Sequence, residues 1–252
     1  MPDDYFSFSV PIVVAVIEGP SDRRYLKQPL EAYYRSKHGA TCRLVPVRDL
    51  TGDPTVDDTN FIEELRGNIE EELRGHGNNI DSDVAVMITE VVHVIDIDEA
   101  FISTDLITKD PSCHSFFYTR EGIRHVSNNP VIRRNERKQN RISTLLSMST
   151  IKLYDRDIPY SLFFYSVNID DFHYDDALNW DDETKNKKAA EFERKYIIKK
   201  SNEGKIKLFK KTFENRNPDD FPDTFSDTWD YIRINNNSLK QCSNVFLLVK
   251  KK

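Results

Sequence analysis

The stretch "VVAVIEGPSDRRYL" (residues 13–26) sets the reading of the whole chain. An apolar, β-branched run stops at Glu18 and a Gly-Pro pair, and Ser21 and Asp22 then open a different pattern. Extended backwards to "VPIVVAVI" (10–17), the run lacks the alternation of a half-exposed strand, so it reads as a strand covered on both faces. Forwards, Tyr25, Leu26, Leu30 and Tyr33 share one helical face, with Ser21 as N-cap and Asp22 at the positive end of the helix. Pro29 predicts a kink or a restart near Gln28. A buried strand that carries a carboxylate to its end needs water, a partner or a metal to receive it.

The same grammar recurs downstream. "CRLVPVRDL" (42–50) reads as a second strand, and Phe61, Ile62, Leu65, Ile69 and Leu73 mark a helix that Gly75 and Gly77 stop. "DVAVMITEVVHVIDIDEAF" (83–101) holds a third strand ending at Asp96–Asp98, and "SLFFYSVNIDDF" (161–172) a fourth that again runs into acids. Strands alternating with helices give an α/β fold, a mostly parallel sheet with helices on both faces. An insert at 102–158 reads as largely helical and basic. The expected division is an α/β domain over 8–178, containing that insert, and a helical C-terminal extension over 179–252 anchored by Trp229, Tyr231 and Phe246–Leu248.

Bulk properties narrow the partners. A chain of 252 residues with 38% hydrophobic and 31% charged residues is globular with a wet surface. Its net charge of −6 means that any polyanion must be held by a local basic patch. No apolar run reaches the length of a membrane span, and "MPDDYFSFSV" lacks the basic region of a signal peptide, so no membrane partner is expected. Cys42, Cys113 and Cys242 lie far apart without a CxxC pair, which argues against a zinc knuckle and for a reducing cytoplasm.

In an open parallel sheet the crevice lies at the carboxyl ends of the strands. Glu18 ends the first strand, Asp96 and Asp98 end the third on one face by the strand period of two, and Asp170 and Asp171 follow the fourth. Acids gathered this way repel one another unless a positive charge sits among them. Oxygen donors without His or Cys favour a hard cation, Mg²⁺ or Mn²⁺. Taken singly, each acid is as well explained as the start of a loop, and His93 as a satisfied core histidine.

Together, "VIEGPSDRRYL" and "VHVIDIDEAF" resemble the TOPRIM domain shared by topoisomerases, bacterial primases, Old-family nucleases and small ribonucleases. The resemblance spans roughly residues 8–175 in strand order, while its motifs occupy two short segments. It implies divalent-metal-dependent chemistry on phosphodiester bonds of DNA or RNA. On that match Glu18 is a metal ligand or general acid/base, Asp96 and Asp98 are metal-binding aspartates, and Asp22 helps to hold a second metal. Glu99 stands where the family often has glycine, which adds a ligand or weakens the site. The parts that a topoisomerase or a primase needs are not read here, nor is any P-loop. Freestanding members of this size resemble anti-phage effector nucleases that work with a separate ATPase subunit, and a homodimer would address two strands. The alternative is a TOPRIM-derived nucleic-acid-binding or scaffold subunit that has lost catalysis.

Residues 118–143 supply a basic patch. Arg120, Arg124, Arg133, Arg134, Arg137, Lys138 and Arg141 stand against only Glu121 and Glu136. Arg134, Arg137, Lys138 and Arg141 fall at helical spacing, a cationic stripe suited to phosphates or to pairing with the acidic helix at 63–72. The lysines at 185–188 and 195–211 are a second candidate surface for a polyanion, better read as serving solubility.

Overall fold

The computed structural model describes residues 10–75 and 82–250. Its main sheet has five strands: β1 (Ile12–Ile17), β2 (Thr41–Pro46), β3 (Ile88–Asp96), β7 (Thr150–Leu153) and β8 (Arg156–Tyr165). Their order is β2-β1-β3-β8-β7, parallel throughout except for β7. From β1 the chain moves to one side for β2 and then crosses to the other for β3. The β1/β3 seam is therefore the topological switch point, where an open parallel sheet splays its loops apart.

Alternate residues of β1 feed two cores, which is why the run is apolar without a break. Ile12, Val14 and Val16 pack with Phe61, Leu65 and Ile69 of α2 (Phe61–Arg74) and Ile142 and Leu145 of α4 (Asn128–Ser147). Val13, Ala15 and Ile17 face Tyr25, Leu26, Leu30 and Tyr33 of α1 (Pro20–His38). Helices thus cover both faces. At the far end of α2 Gly75 caps the helix as expected, while Gly77 lies outside the described residues.

Two expectations for α1 are corrected. The N-cap is Gly19 rather than Ser21, with Pro20 at the first helical position, where its missing N–H costs nothing. Nor does Pro29 break the helix: α1 runs continuously through it, because Pro29 belongs to the buried face with Leu26 and Leu30 and packing outweighs the lost hydrogen bond.

The insert is also less helical than its composition suggests. After a 3₁₀ turn at Thr104–Leu106, β4 (Ile107–Lys109), β5 (Phe117–Thr119) and β6 (Gly122–His125) form a second, three-stranded sheet, and only α4 is a long helix. Ile102, Ile107, Ile123 and Val131 give this sheet a core of its own. Gly122 has φ 137°, and a Cβ there would collide with the Leu106 carbonyl, so only glycine fits.

Beyond β8 come α5 (Ile169–His173), α6 (Asp182–Phe192), a π-helical turn at Glu193–Ile197, α7 (Asn202–Arg216) and α8 (Phe225–Arg233). These are helical, as expected, and they build the two layers rather than trail from them. Phe209 and Phe213 of α7 join the α1 face, while Trp229 of α8 meets Phe164 on the opposite face with ring centroids 4.6 Å apart. The segment after α8 returns to β8, where Ser243 bridges Tyr165 and Asn244 Oδ1 accepts the Phe164 N–H at 2.8 Å. Among the described residues no helix is long and apolar enough to cross a membrane.

Candidate functional site

At the β1/β3 switch point opens a cleft of about 390 Å³. Glu18, Asp22, Asp49, Asp96, Asp98 and Asp170 line it, together with Asp182, Lys185 and Asn186 of α6. The sequence placed most of these acids at strand ends. Asp49 was passed over, although it obeys the same rule, following β2 by a few residues.

Each acid is held by a different part of the fold. Glu18 Oε2 accepts the Asp96 backbone N–H at 2.9 Å, tying the ends of β1 and β3 together. Asp22, in the first turn of α1, accepts the N–H groups of Glu18 and Gly19 through Oδ2, both at 3.1 Å. Asp170 accepts the Tyr25 hydroxyl at 3.0 Å. Asp171 turns away from the cleft into a bidentate pair with Arg120, at 2.6 and 2.9 Å.

Asp96 and Asp98 do not share a strand face. β3 ends at Asp96, and Asp98 and Glu99 follow with φ of 50° and 57°, in the left-handed region. Two consecutive non-glycine residues there cost about 1–2 kcal/mol each. The turn is pinned by three contacts: Asp98 N–H to the Val167 carbonyl at 3.1 Å, Glu99 N–H to Ser166 at 3.1 Å, and Arg134 Nη1 to the Asp98 carbonyl at 2.8 Å. Glu99 therefore occupies a glycine-favouring conformation. Its side chain is fully buried, and neither carboxyl oxygen has a hydrogen-bond partner.

Lys138 is the positive charge inside this cluster. It is 0% exposed, and its Nζ donates to Asp98 Oδ2 at 2.5 Å and to the Asp96 carbonyl at 2.7 Å, with Asp49 Oδ2 at 3.3 Å. Burial pulls its pKa down, but Asp49, Asp98 and Glu18 carry it well above the ordinary lysine value. Against its own burial, Asp49 is drawn down to about 2, chiefly by Lys138. The other acids are compensated only in part. Burial and then Asp49 raise Glu18 well above the carboxylate range, and burial with Asp22 and Glu18 does the same to Asp96. Burial and Asp170 lift Asp22 to about 7, while burial and Asp171 lift Glu99 to about 9. One ammonium is bonded to two carboxylates, and Glu18, Asp22, Asp96 and Asp170 share the cleft with Lys138 and Lys185 acting on them only from a distance. This donor set suits a hard cation at Glu18, Asp22 and Asp96, whereas Asp98 is already engaged by Lys138. Among the described residues, no three His, Cys, Asp or Glu side chains stand close enough together to hold a metal ion as they are.

His93 Nδ1 pairs with the Tyr160 hydroxyl at 2.7 Å, while its buried Nε2 has no partner. Burial lowers its pKa to about 3, so the ring is neutral and belongs to the core.

The basic stripe of α4 faces inward. Arg134, Lys138 and Arg141 are all buried. Arg141 donates to the carbonyls of Leu50, Asp53 and Val56 at 2.6, 2.9 and 2.6 Å and to Asp58 at 2.7 Å, and half-buried Arg137 donates to the Gly52 carbonyl at 3.2 Å. The stripe thus clamps the loop after β2 and the turn after β3. It meets neither solvent phosphate nor the acidic helix at 63–72, because it coincides with the apolar stripe of Val131, Ile142 and Leu145. Of the seven cations, Arg124 and Arg133 are exposed, and Arg120 is bound to Asp171. No family model, curated protein or solved structure matches the chain.

Proposed function

We propose that this protein is a Mg²⁺- or Mn²⁺-dependent phosphodiester hydrolase of the TOPRIM kind acting on nucleic acid, with its site at the β1/β3 switch point. The observation that carries this reading is electrostatic: Glu18, Asp22 and Asp96 line one cleft with pKa values raised by burial and by one another. A folded chain tolerates such a cluster where function requires it, and a divalent cation is the species that relieves it. Glu18, Asp22 and Asp96 would hold the metal, whose chemistry is to activate water and to neutralise charge on the phosphate.

The chain's own groups do the rest. Glu18 is anchored through Oε2 at the strand end; as a metal ligand it would give up its proton, and its carboxylate would then serve as a base for the attacking water. Asp22 fixes the Glu18–Gly19 backbone, and Lys138 holds Asp98 and the strand end in place. A separate ATPase subunit, a homodimer, a cytoplasmic setting and an anti-phage role are the context this reading calls for.

The test is cleavage of plasmid DNA, single-stranded DNA and tRNA with Mg²⁺, Mn²⁺ or EDTA. Cutting should require metal and fall at least a hundredfold in Glu18→Gln, on the order of one lost acid/base group. An Asp96→Ala/Asp98→Ala protein that still cuts fully would sink the proposal.

A second reading, a scaffold or nucleic-acid-binding subunit without catalysis, is favoured by Lys138 occupying the place between Asp98 and Asp49. Titration with Mn²⁺ separates the two. A metal at a hundred times its Kd adds about 2.7 kcal/mol, a Tm rise of roughly 5–10 °C for a chain of this size. No rise and no cutting leave the second reading standing.

A further inference from the structure

A second cavity, of about 500 Å³, is lined by Lys188, Glu191, Phe192, Lys195, Tyr196 and Arg216. Two helices join the cavities. On α6, Lys185 stands in the wall of the cleft and Lys188, one turn on, in the second cavity. On α5, Asp170 faces the cleft and His173, one turn on, the cavity. One helical turn is about 5 Å, close to the spacing of successive phosphates in a strand.

The chemistry of the band is aromatic and cationic together. Tyr196 is 39% exposed and stands 5.1 Å from the Phe192 ring centroid, and Lys195 Nζ lies 4.8 Å over its face. Arg216 is committed to Asp175 and to the His173 carbonyl. Lys185 makes no ion pair with a described residue, although it lines a cleft of carboxylates. Lys188 stands 3.9 Å from Glu191 one turn on, a loose pair at the surface. With Arg134, Lys138 and Arg141 turned inward, the surface cations that border the proposed cutting site are those of α6 and the turn after it.

We infer that this band binds an unpaired, single-stranded stretch of nucleic acid beside the scissile phosphate, with backbone phosphates on Lys185, Lys188 and Lys195 and a base stacked at Tyr196. The inference rests on the hydrolase reading and names the substrate form for the same site. A duplex keeps its base faces stacked inside, so an open aromatic surface next to ammonium groups selects a strand whose bases are free. Of the two sequence readings of the lysines at 185–188 and 195, a polyanion surface or simple solubility, the inference takes the first.

The experiment is fluorescence anisotropy with the full chain in EDTA, using a labelled twelve-nucleotide single strand and its duplex. Wild type should hold the single strand more tightly. Tyr196→Ala should weaken that binding on the order of tenfold, as loss of one stacked base does, while Tyr196→Phe keeps it. Single-strand binding unchanged in Tyr196→Ala, or a preference for duplex, overturns the inference. If wild type then still cuts plasmid DNA with metal, the hydrolase reading survives that failure. Tyr196-dependent binding with no cutting of any substrate and no rise in Tm with Mn²⁺ sinks the hydrolase reading instead, and if binding, cutting and the Tm rise all fail, both fall.

Discussion

Helices α4 and α6 carry similar densities of lysine and arginine, yet one uses them as core and the other as surface. On α4 the buried positions are Val131, Arg134, Asn135, Lys138, Arg141, Ile142 and Leu145, a single stripe in which aliphatics flank the cations at both ends. On α6 only Ala189 is buried, and Lys187 and its neighbours point outward or half outward. Charge count does not distinguish these helices. What does is whether the cations fall on the same 3.6-residue stripe as the apolar residues: where they do, packing carries them inward and they must find partners there.

The largest expected effect follows from that difference. Lys138→Met leaves the carboxylates of Asp98 and Asp49 beside a new apolar side chain in a fully buried position. Removing one partner of a buried pair costs about 3–5 kcal/mol, and the partial exposure of Asp98 (24%) and Asp49 (38%) puts the expectation at the lower end. For a chain of this size about 3 kcal/mol is a Tm loss of roughly 10 °C. Thermal denaturation in EDTA, so that no metal masks the change, reads it. A Tm within 2 °C of wild type would mean that α4 and α6 do not differ as described.

Glu99 gives a smaller and pH-dependent effect. Its pKa is about 4.5 in the unfolded chain and about 9 when folded. Between those values the native state holds the proton that the unfolded state releases, so stability falls as pH rises through the window. Asp22, lifted from 3.8 to about 7, has the same sign over its own window. Glu99→Gln cannot ionise and removes the Glu99 share. The variant should gain about 1–3 kcal/mol over wild type at pH 9 and little at pH 5, measured as urea midpoints at the two pH values. An equal gain at both would show that the Glu99 carboxyl titrates normally, with Arg134 and Arg120 compensating it more fully than the Asp98–Glu99 turn suggests.

What the sequence made legible divides along the same line. "VPIVVAVI" announced a doubly covered strand because burial on both faces leaves no polar position, and Glu18 at its end announced the crevice. Asp96 followed from the same rule. Asp98 did not, since the chain leaves the strand at Asp96 and a strand-period argument no longer holds once φ turns positive. The sheet at 107–125 was hidden by three- and four-residue strands, too short for any periodicity to register. The inward stripe of α4 was readable, because Val131, Ile142 and Leu145 flank Arg134, Lys138 and Arg141 at helical spacing.

The smallest effect on stability is the sharpest test of the outer helix. Lys185 is half-buried and pairs with no described carboxylate, so Lys185→Met removes no fixed partner and should leave the urea midpoint within about 0.5 kcal/mol of wild type. Its effect belongs in the salt dependence of binding. A lysine that meets a phosphate releases one counterion when it binds, so its loss lowers the slope of log K against log salt by about one unit. Lys138→Met should do the reverse, with a large loss of stability and a slope that stays put. A Lys185→Met protein whose slope matches wild type, with binding otherwise intact, would make α6 an ordinary solvated face and move the phosphate contacts to Arg124 and Arg133, the exposed arginines of the insert.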